Sequence, residues 1–282
     1  MTKRRLTTIT TINGRPVSGA DARISVFDNA LLYAEGLFET FLAVDDRIIL
    51  LEQHLDRLYR GAKVIGLTVP VSRKTLSTWM VATVKAHPDR IKKLRLTISS
   101  GEAARWVGVQ GKPQVILSAS PHELPVKPYS LLVSDLKIDH ESVFRRIKTI
   151  SYAIHAAALK RAKDRGFDDA LLLNRSDRLA EVTSANIFWV RKGRLYTPPL
   201  SAGCLDGVTR LLVIREARGL GLTLVEKTDR LEGIAGADEV FVSSSLKLIL
   251  GVDRIRSGRR VFRFPIGPIT TRLFDHFRKL VD

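Results

Sequence analysis

One cysteine in 282 residues, Cys204, excludes an internal disulfide and leaves a thiolate metal cluster short of ligands. Histidine offers no substitute. The six stand at positions 54, 87, 122, 140, 155 and 276, no two at the short helical spacing of a metal pair, so no metal is expected. No apolar run approaches the length of a bilayer span, and no hydrophobic segment follows the basic opening MTKRRLTTIT. Neither a membrane helix nor a secretory signal is therefore expected, and the expected location is cytoplasmic. Internal repeats and low-complexity segments are also lacking. Acidic residues are few, 29 Asp and Glu against 46 Lys and Arg, for a formal charge of +17. That surplus attracts small anions, phosphate esters and carboxylates among them. It is dispersed in short clusters (Lys3 to Arg5, Lys92 and Lys93, Arg259 and Arg260), with no long basic tract and no aromatic-interleaved RNA motif. This argues against nucleic-acid binding as the main function and leaves a basic nucleic-acid-binding protein on an inactive scaffold as the remote alternative.

What is present, 45% hydrophobic and 27% charged residues, is the balance of a globular chain long enough for two modest domains sharing a cleft. The chain opens with strands at 6–12 and 15–18 around Asn13-Gly14, a dipeptide that supplies the positive backbone angles of a tight hairpin. Leu51, Leu55, Leu58, Ala62 and Ile65 recur every three or four residues and predict an amphipathic helix ending near Gly66, with His54 and Arg57 on one face. A second helix is predicted over 74–86, then strands over 91–99 and 114–120. Three prolines in PHELPVKPYS mark a boundary. The expected division is a small N-terminal domain over 1–121, a linker over 122–130 and a large domain over 131–282. In the latter the reading gives a strand in LLVSDL, a helix over 152–165, a strand in DDALLLN, a hairpin turning at Lys192-Gly193 and a helix over 208–218. Strands in LTLVEK and EVFVSSS and a terminal helix from Ile269 complete it.

In RRIKTISYAIHAAALKRAK a lysine, Lys148, ends an extended stretch just before a helix, where an amine stripped of its proton by desolvation is a good Schiff-base nucleophile. Alone, such a lysine is ordinarily a solvated charge. Read with FDDALLLNRSDRLAEVTSANIF and YTPPLSAGCLDGVTR downstream, and FDNALLYAEGLFET with HLDRL upstream, it belongs to an ordered set. Over roughly residues 5 to 255 the chain resembles the class IV, or fold-type IV, pyridoxal-phosphate enzymes. These include branched-chain aminotransferases, D-amino acid aminotransferases and aminodeoxychorismate lyases.

The resemblance implies an α/β (α+β) fold of two domains, a small α/β N-terminal one and a larger one with a β-barrel-like core. It also implies pyridoxal 5′-phosphate as cofactor and a homodimer acting on small-molecule substrates, an amino acid and a 2-oxo acid. By the same resemblance Lys148 carries the cofactor and Glu181 bonds its pyridine nitrogen, keeping it protonated as an electron sink. Arg57 binds the phosphate through its planar fork. Val208 and Thr209 cradle the phosphate at a helix N-terminus. Ser245, with Ser244 as the alternative one register away, adds a hydroxyl. Tyr152 bonds the cofactor's phenolate oxygen, and Tyr33 and Phe38 line the substrate pocket. Ala34 stands where the family usually has glycine, Asn29 replaces a more common basic or small residue, and Gly251 replaces the usual proline before Val252.

The shared motifs imply either amino transfer through Lys148 or, as the alternative, loss of pyruvate from 4-amino-4-deoxychorismate to give p-aminobenzoate. The arginine-x-histidine trap of D-amino acid aminotransferases is incomplete here, since GEAARWVGVQGKP has Arg105 without a histidine two positions later. Arg105 remains a candidate substrate contact. Phe38-Glu39-Thr40 and the lysine-to-tyrosine spacing resemble the lyase or the less specialised aminotransferases, and amino transfer, the commoner activity, is the reading preferred.

Overall fold

At Asn13-Gly14 both residues take positive φ (50° and 76°), which turns β1 (Ile9–Ile12) into β2 (Arg15–Val17) as the dipeptide predicts. The hairpin forms one edge of a sheet in the computed structural model, which describes residues 8–103 and 111–282. The chain falls into two units, Met1–Glu123 with Ile147–Ser151, and Leu124–Arg146 with Tyr152–Asp282.

The first unit continues with α1 (Asn29–Tyr33), β3 (Gly36–Val44), β4 (Arg47–Ile48), α2 (Leu51–Ile65), α3 (Arg73–Lys85), β5 (Ile91–Ser99) and β6 (Gln114–Pro121). Its six strands form one antiparallel sheet in the order β2-β1-β6-β5-β3-β4. Period-two alternation sends Leu94, Leu96 and Ile98 of β5 and Val115, Leu117 and Ala119 of β6 to one face. There they pack with Leu55, Leu58 and Ala62 of α2 and Leu76, Met80 and Val84 of α3. The two helices lie within a residue or two of their predicted bounds.

Strand β3 was not evident in the sequence because nearly every residue of LFETFLAV is buried, so no alternation signals it. The alternation persists in space. Leu37, Phe41 and Ala43 join the helix-side core, and Phe38, opposite Thr97, lies on the other face. Residues 148–150 add to the free edge of β3: Phe38 N donates to Lys148 O (2.9 Å) and Ile150 N to Gly36 O (3.0 Å). Only glycine tolerates that approach, since a Cβ on Gly36 falls 2.6 Å from Ile98 O and 2.9 Å from Ile150 Cδ1.

Ala34 closes α1 at φ 56°, ψ 31°, the left-handed conformation that explains the family's glycine at this position. Ala34→Gly is expected to stabilise the protein by about 1 kcal/mol. The thermal midpoint then rises by roughly 2 °C; an unchanged or lower midpoint in a melting experiment contradicts strain at this residue.

The second unit comprises β7 (Tyr129–Val133), a 3₁₀ turn (Val143–Arg146), α4 (Ala153–Lys163), β8 (Asp169–Leu173), β9 (Leu179–Val182), β10 (Asn186–Arg191) and β11 (Arg194–Thr197). A second 3₁₀ turn (Leu200–Ala202), α5 (Val208–Gly219), β12 (Leu224–Glu226), α6 (Leu231–Ala235), β13 (Glu239–Ser244), β14 (Leu248–Ser257), β15 (Arg260–Arg263) and α7 (Pro268–Arg278) follow. Nine strands form one mixed sheet, β12-β11-β10-β13-β14-β7-β8-β9 with β15 on β14. The sheet curls into a half-barrel. The strand read in LLVSDL ends early, at Val133, because Ser134 Oγ accepts the Leu136 amide (3.0 Å) and turns the chain. Lys192-Gly193 makes the predicted hairpin turn at φ 52° and 71°. A Cβ at Gly251 falls 2.3 Å from Ile266 Cδ1, so the residue that replaces the family proline makes room for that side chain.

Candidate active site

Each unit holds part of the sequence-predicted constellation. In the first, β3 and α2 place three polar side chains on the helix-side face. Glu39, fully buried, accepts from Arg57 Nε (2.8 Å) and Nη2 (2.6 Å), and its Oε2 lies 2.7 Å from His54 Nδ1. Burial pushes the Glu39 carboxyl up, but the Arg57 charge and the bonds from Arg57 and His54 outweigh it and bring it to about 2. His54 is lowered by burial despite the opposing pull of Glu39. A carboxylate only accepts, so Nδ1 carries the imidazole hydrogen and donates. The sequence placed His54 and Arg57 on one face but missed Glu39 as their common partner. The signal lay in β3 itself, where a lone acid inside an apolar run requires a buried cation.

This carboxylate has a consequence for acid stability. Its pKa is lower folded than unfolded (ordinary value 4.5), so its contribution is complete above about 4.5 and is lost as pH falls toward 2. Glu39→Gln, which removes the buried carboxylate that Arg57 and His54 bond, is expected to cost about 3 kcal/mol at neutral pH. Urea midpoints measured from pH 6 to pH 2.5 should fall less steeply in the variant. Parallel pH profiles contradict the assignment.

On the opposite face of β3, the Phe38 ring is buried, with Lys148 Nζ 4.3 Å and the Arg95 guanidinium carbon 4.0 Å from its centroid. Lys148 and Phe38 are thus brought together in this unit. Arg57 belongs to the helix side. Tyr33 ends α1 and is exposed, and Asn29, which opens that helix, donates from Nδ2 to Glu35 (3.1 Å). Arg105 lies outside the described residues.

In the second unit Glu181 sits on β9, a strand buried along its whole length. Its Oε1 accepts from Arg145 Nη2 and faces His155 Nε2 (3.1 Å), and its Oε2 accepts the Leu205 amide (2.8 Å). Burial raises its carboxyl, yet His155, Arg145 and the amide together hold it below the usual range. These donors occupy three of the about four acceptor directions of a carboxylate. Tyr152 caps α4, and its ring stacks on His155 (centroids 4.1 Å, interplanar angle 20°). His155 and Arg145, absent from the sequence-derived set, therefore attend Glu181.

Asn186 Nδ2 donates to Leu205 O (2.9 Å) and ties the start of β10 to the turn that opens α5. That turn needs Gly207, where a Cβ falls 2.0 Å from Asn186 Oδ1. Val208 and Thr209 are the first residues of α5, which has no side-chain cap, and the buried Thr209 hydroxyl has no hydrogen-bond partner among the described residues. The same holds for the Ser244 hydroxyl at the end of β13. Ser245 follows that strand. Orphaned buried hydroxyls and helix-start amides without a side-chain cap each call for acceptor oxygens.

Cys204 is buried, and burial pushes its thiol up to about 12, which makes it unreactive. Among the described residues no group of three or more His, Cys, Asp or Glu is arranged to hold a metal ion, and no helix is long and apolar enough to cross a membrane.

A family model for class IV amino-transferases matches residues 36–255. An aminodeoxychorismate lyase of Bacillus subtilis is 31% identical over 252 residues, covering 86% of this chain and 85% of its own. The crystal structure of a branched-chain aminotransferase from Thermoproteus uzoniensis with norvaline superposes with a TM-score of 0.90 at 30% identity, covering 98% of this chain and 95% of that one. The T.th. branched-chain amino acid aminotransferase complexed with N-(5′-phosphopyridoxyl)-L-glutamate gives a TM-score of 0.87 at 26% identity, with 97% and 94% covered.

Proposed function

Since the chain belongs to the class IV aminotransferases, enzymes that work with pyridoxal 5′-phosphate, we propose that it moves an amino group between an amino acid and a 2-oxo acid with Lys148 carrying the cofactor as a Schiff base. The observation that carries this reading is the state of Glu181, an ionised, buried carboxylate with one acceptor direction left for a protonated ring nitrogen. The orphaned hydroxyls of Thr209 and Ser244 and the amides opening α5 support a phosphate there, with Ser245 alongside. Bound, the cofactor supplies an aldehyde that condenses with amines and a ring that draws electrons from the adjoining carbon.

The remaining tasks fall to the protein. With the cofactor in place, the Lys148 amine would move the proton at the substrate α-carbon. Glu181 holds the ring-nitrogen proton in place, and the Tyr152 hydroxyl meets the phenolate oxygen. Arg57, whose Nε and Nη2 bond Glu39, is assigned to the phosphate on the strength of the HLDRL motif. Phe38 and Tyr33 line the substrate side. The functional form is a homodimer, supported by the exposed apolar residues Val26, Phe27, Leu31 and Leu32 around α1.

The lyase remains the second reading because the Bacillus subtilis relative carries that name. Both are tested in one panel: amino transfer from L- and D-amino acids to 2-oxoglutarate or pyruvate, beside p-aminobenzoate formation from aminodeoxychorismate. Transfer without p-aminobenzoate supports the proposal. The converse replaces it with the lyase, and activity in neither overturns it.

A further inference from the structure

His155 touches both residues assigned above to the cofactor's ring. It lies three residues after Tyr152, on the first turn of α4, so the two side chains share a helix face and stack at 4.1 Å. Its Nε2 lies 3.1 Å from Glu181 Oε1. The imidazole is 4% exposed and its Nδ1 has no hydrogen-bond partner among the described residues. Among those residues the bond to Glu181 is therefore the ring's one polar anchor, and the stack on Tyr152 its orienting aromatic contact. Since an ionised carboxylate offers only lone pairs, Nε2 carries the hydrogen and donates.

We infer that His155 is a positioning residue that locks the Glu181 carboxylate and the Tyr152 ring into a single unit, so that the partner of the cofactor's nitrogen and the partner of its phenolate oxygen are set together. The inference rests on the assignment of Glu181 and Tyr152 to the cofactor. Among the described residues the polar groups meeting at this point are few: Glu181 from β9, Arg145 from the 3₁₀ turn, the Leu205 amide and Tyr152. Arg145 supplies charge, bonding Glu181 and the Gly203 carbonyl. His155 couples the carboxylate to the aromatic plane.

Two replacements separate its contacts. Phenylalanine keeps a ring against Tyr152 and removes the donor, whereas glutamine keeps a donor and removes the ring. His155→Phe is expected to weaken pyridoxal 5′-phosphate binding by about tenfold, the loss of one hydrogen bond to a charged group. The pH titration of the bound chromophore should move by about one unit. His155→Gln should bind within about threefold of wild type and titrate close to it. In the apoprotein, ¹⁵N-histidine spectra above neutral pH should show hydrogen on Nε2 of His155, and Glu181→Gln should shift that signal.

A His155→Phe protein that binds and titrates like wild type overturns the inference. So does an equal drop in thermal midpoint for both variants with an unchanged chromophore, the outcome for mere packing. If wild type itself takes up no cofactor while the Nε2 signal responds to Glu181→Gln, the functional reading has failed and the positioning role falls with it, although the side-chain contact is real. Absence of that response overturns the contact directly.

Discussion

Lys148→Ala is expected to turn over at least about a thousandfold more slowly than wild type while keeping its fold, because the variant loses the covalent tether and the base together. The side chain is only half buried and its pairing with β3 runs through the backbone, Phe38 N to Lys148 O, which alanine preserves. Thermal midpoints of the two proteins should agree within a few degrees. Cofactor affinity should fall less than turnover, since the assigned phosphate and ring-nitrogen contacts come from other residues. Added methylamine should restore part of the rate by supplying the missing amine. Wild-type turnover in the variant contradicts the role of Lys148. A collapsed fold makes the rate loss uninformative, and Lys148→Arg, which retains charge and length but not a condensing amine, then replaces it.

Glu181→Gln is expected to lower kcat by about a hundredfold, the scale of removing one preorganised electrostatic contact to developing charge. Glutamine keeps the length of the side chain but not the charge that holds a ring nitrogen protonated. The change also leaves Arg145, 18% exposed at its side chain, facing a neutral amide. A stability loss of about 1–3 kcal/mol accompanies the rate loss, and urea titration measures it separately. The pattern expected is a large effect on kcat and a small one on the substrate KM. An effect confined to KM contradicts the assigned role.

Local patterns in the sequence specified the elements that use them. Asn13-Gly14 and Lys192-Gly193 turn their hairpins at positive φ, the three- and four-residue spacing of Leu55, Leu58 and Ala62 gives α2, and alternation gives β5 and β6. Of the strands buried on both faces, β8, β10 and β13 were legible as apolar runs, whereas β3 and β9 were not. β3 and β9 carry no alternation, and each holds a carboxylate whose burial is set by partners distant in the chain. Arg57 and Glu39 are separated by 18 residues, Glu181 and Arg145 by 36. Nothing local to FET or AEV identifies which cation and which histidine meet each acid. Lys148 itself was legible through its motif, but not its attachment to the edge of β3, which depends on glycine at position 36. The Tyr152–His155 contact was a missed feature with a local signal, an i, i+3 aromatic pair at a helix start.

The central claim is a covalent one, and reduction tests it most directly. The purified protein, loaded with pyridoxal 5′-phosphate, is treated with borohydride, digested and mapped by mass spectrometry. The account predicts a single phosphopyridoxyl adduct, on the peptide containing Lys148, with loss of the visible absorbance. An adduct on another lysine, or an intact chromophore after reduction, contradicts it.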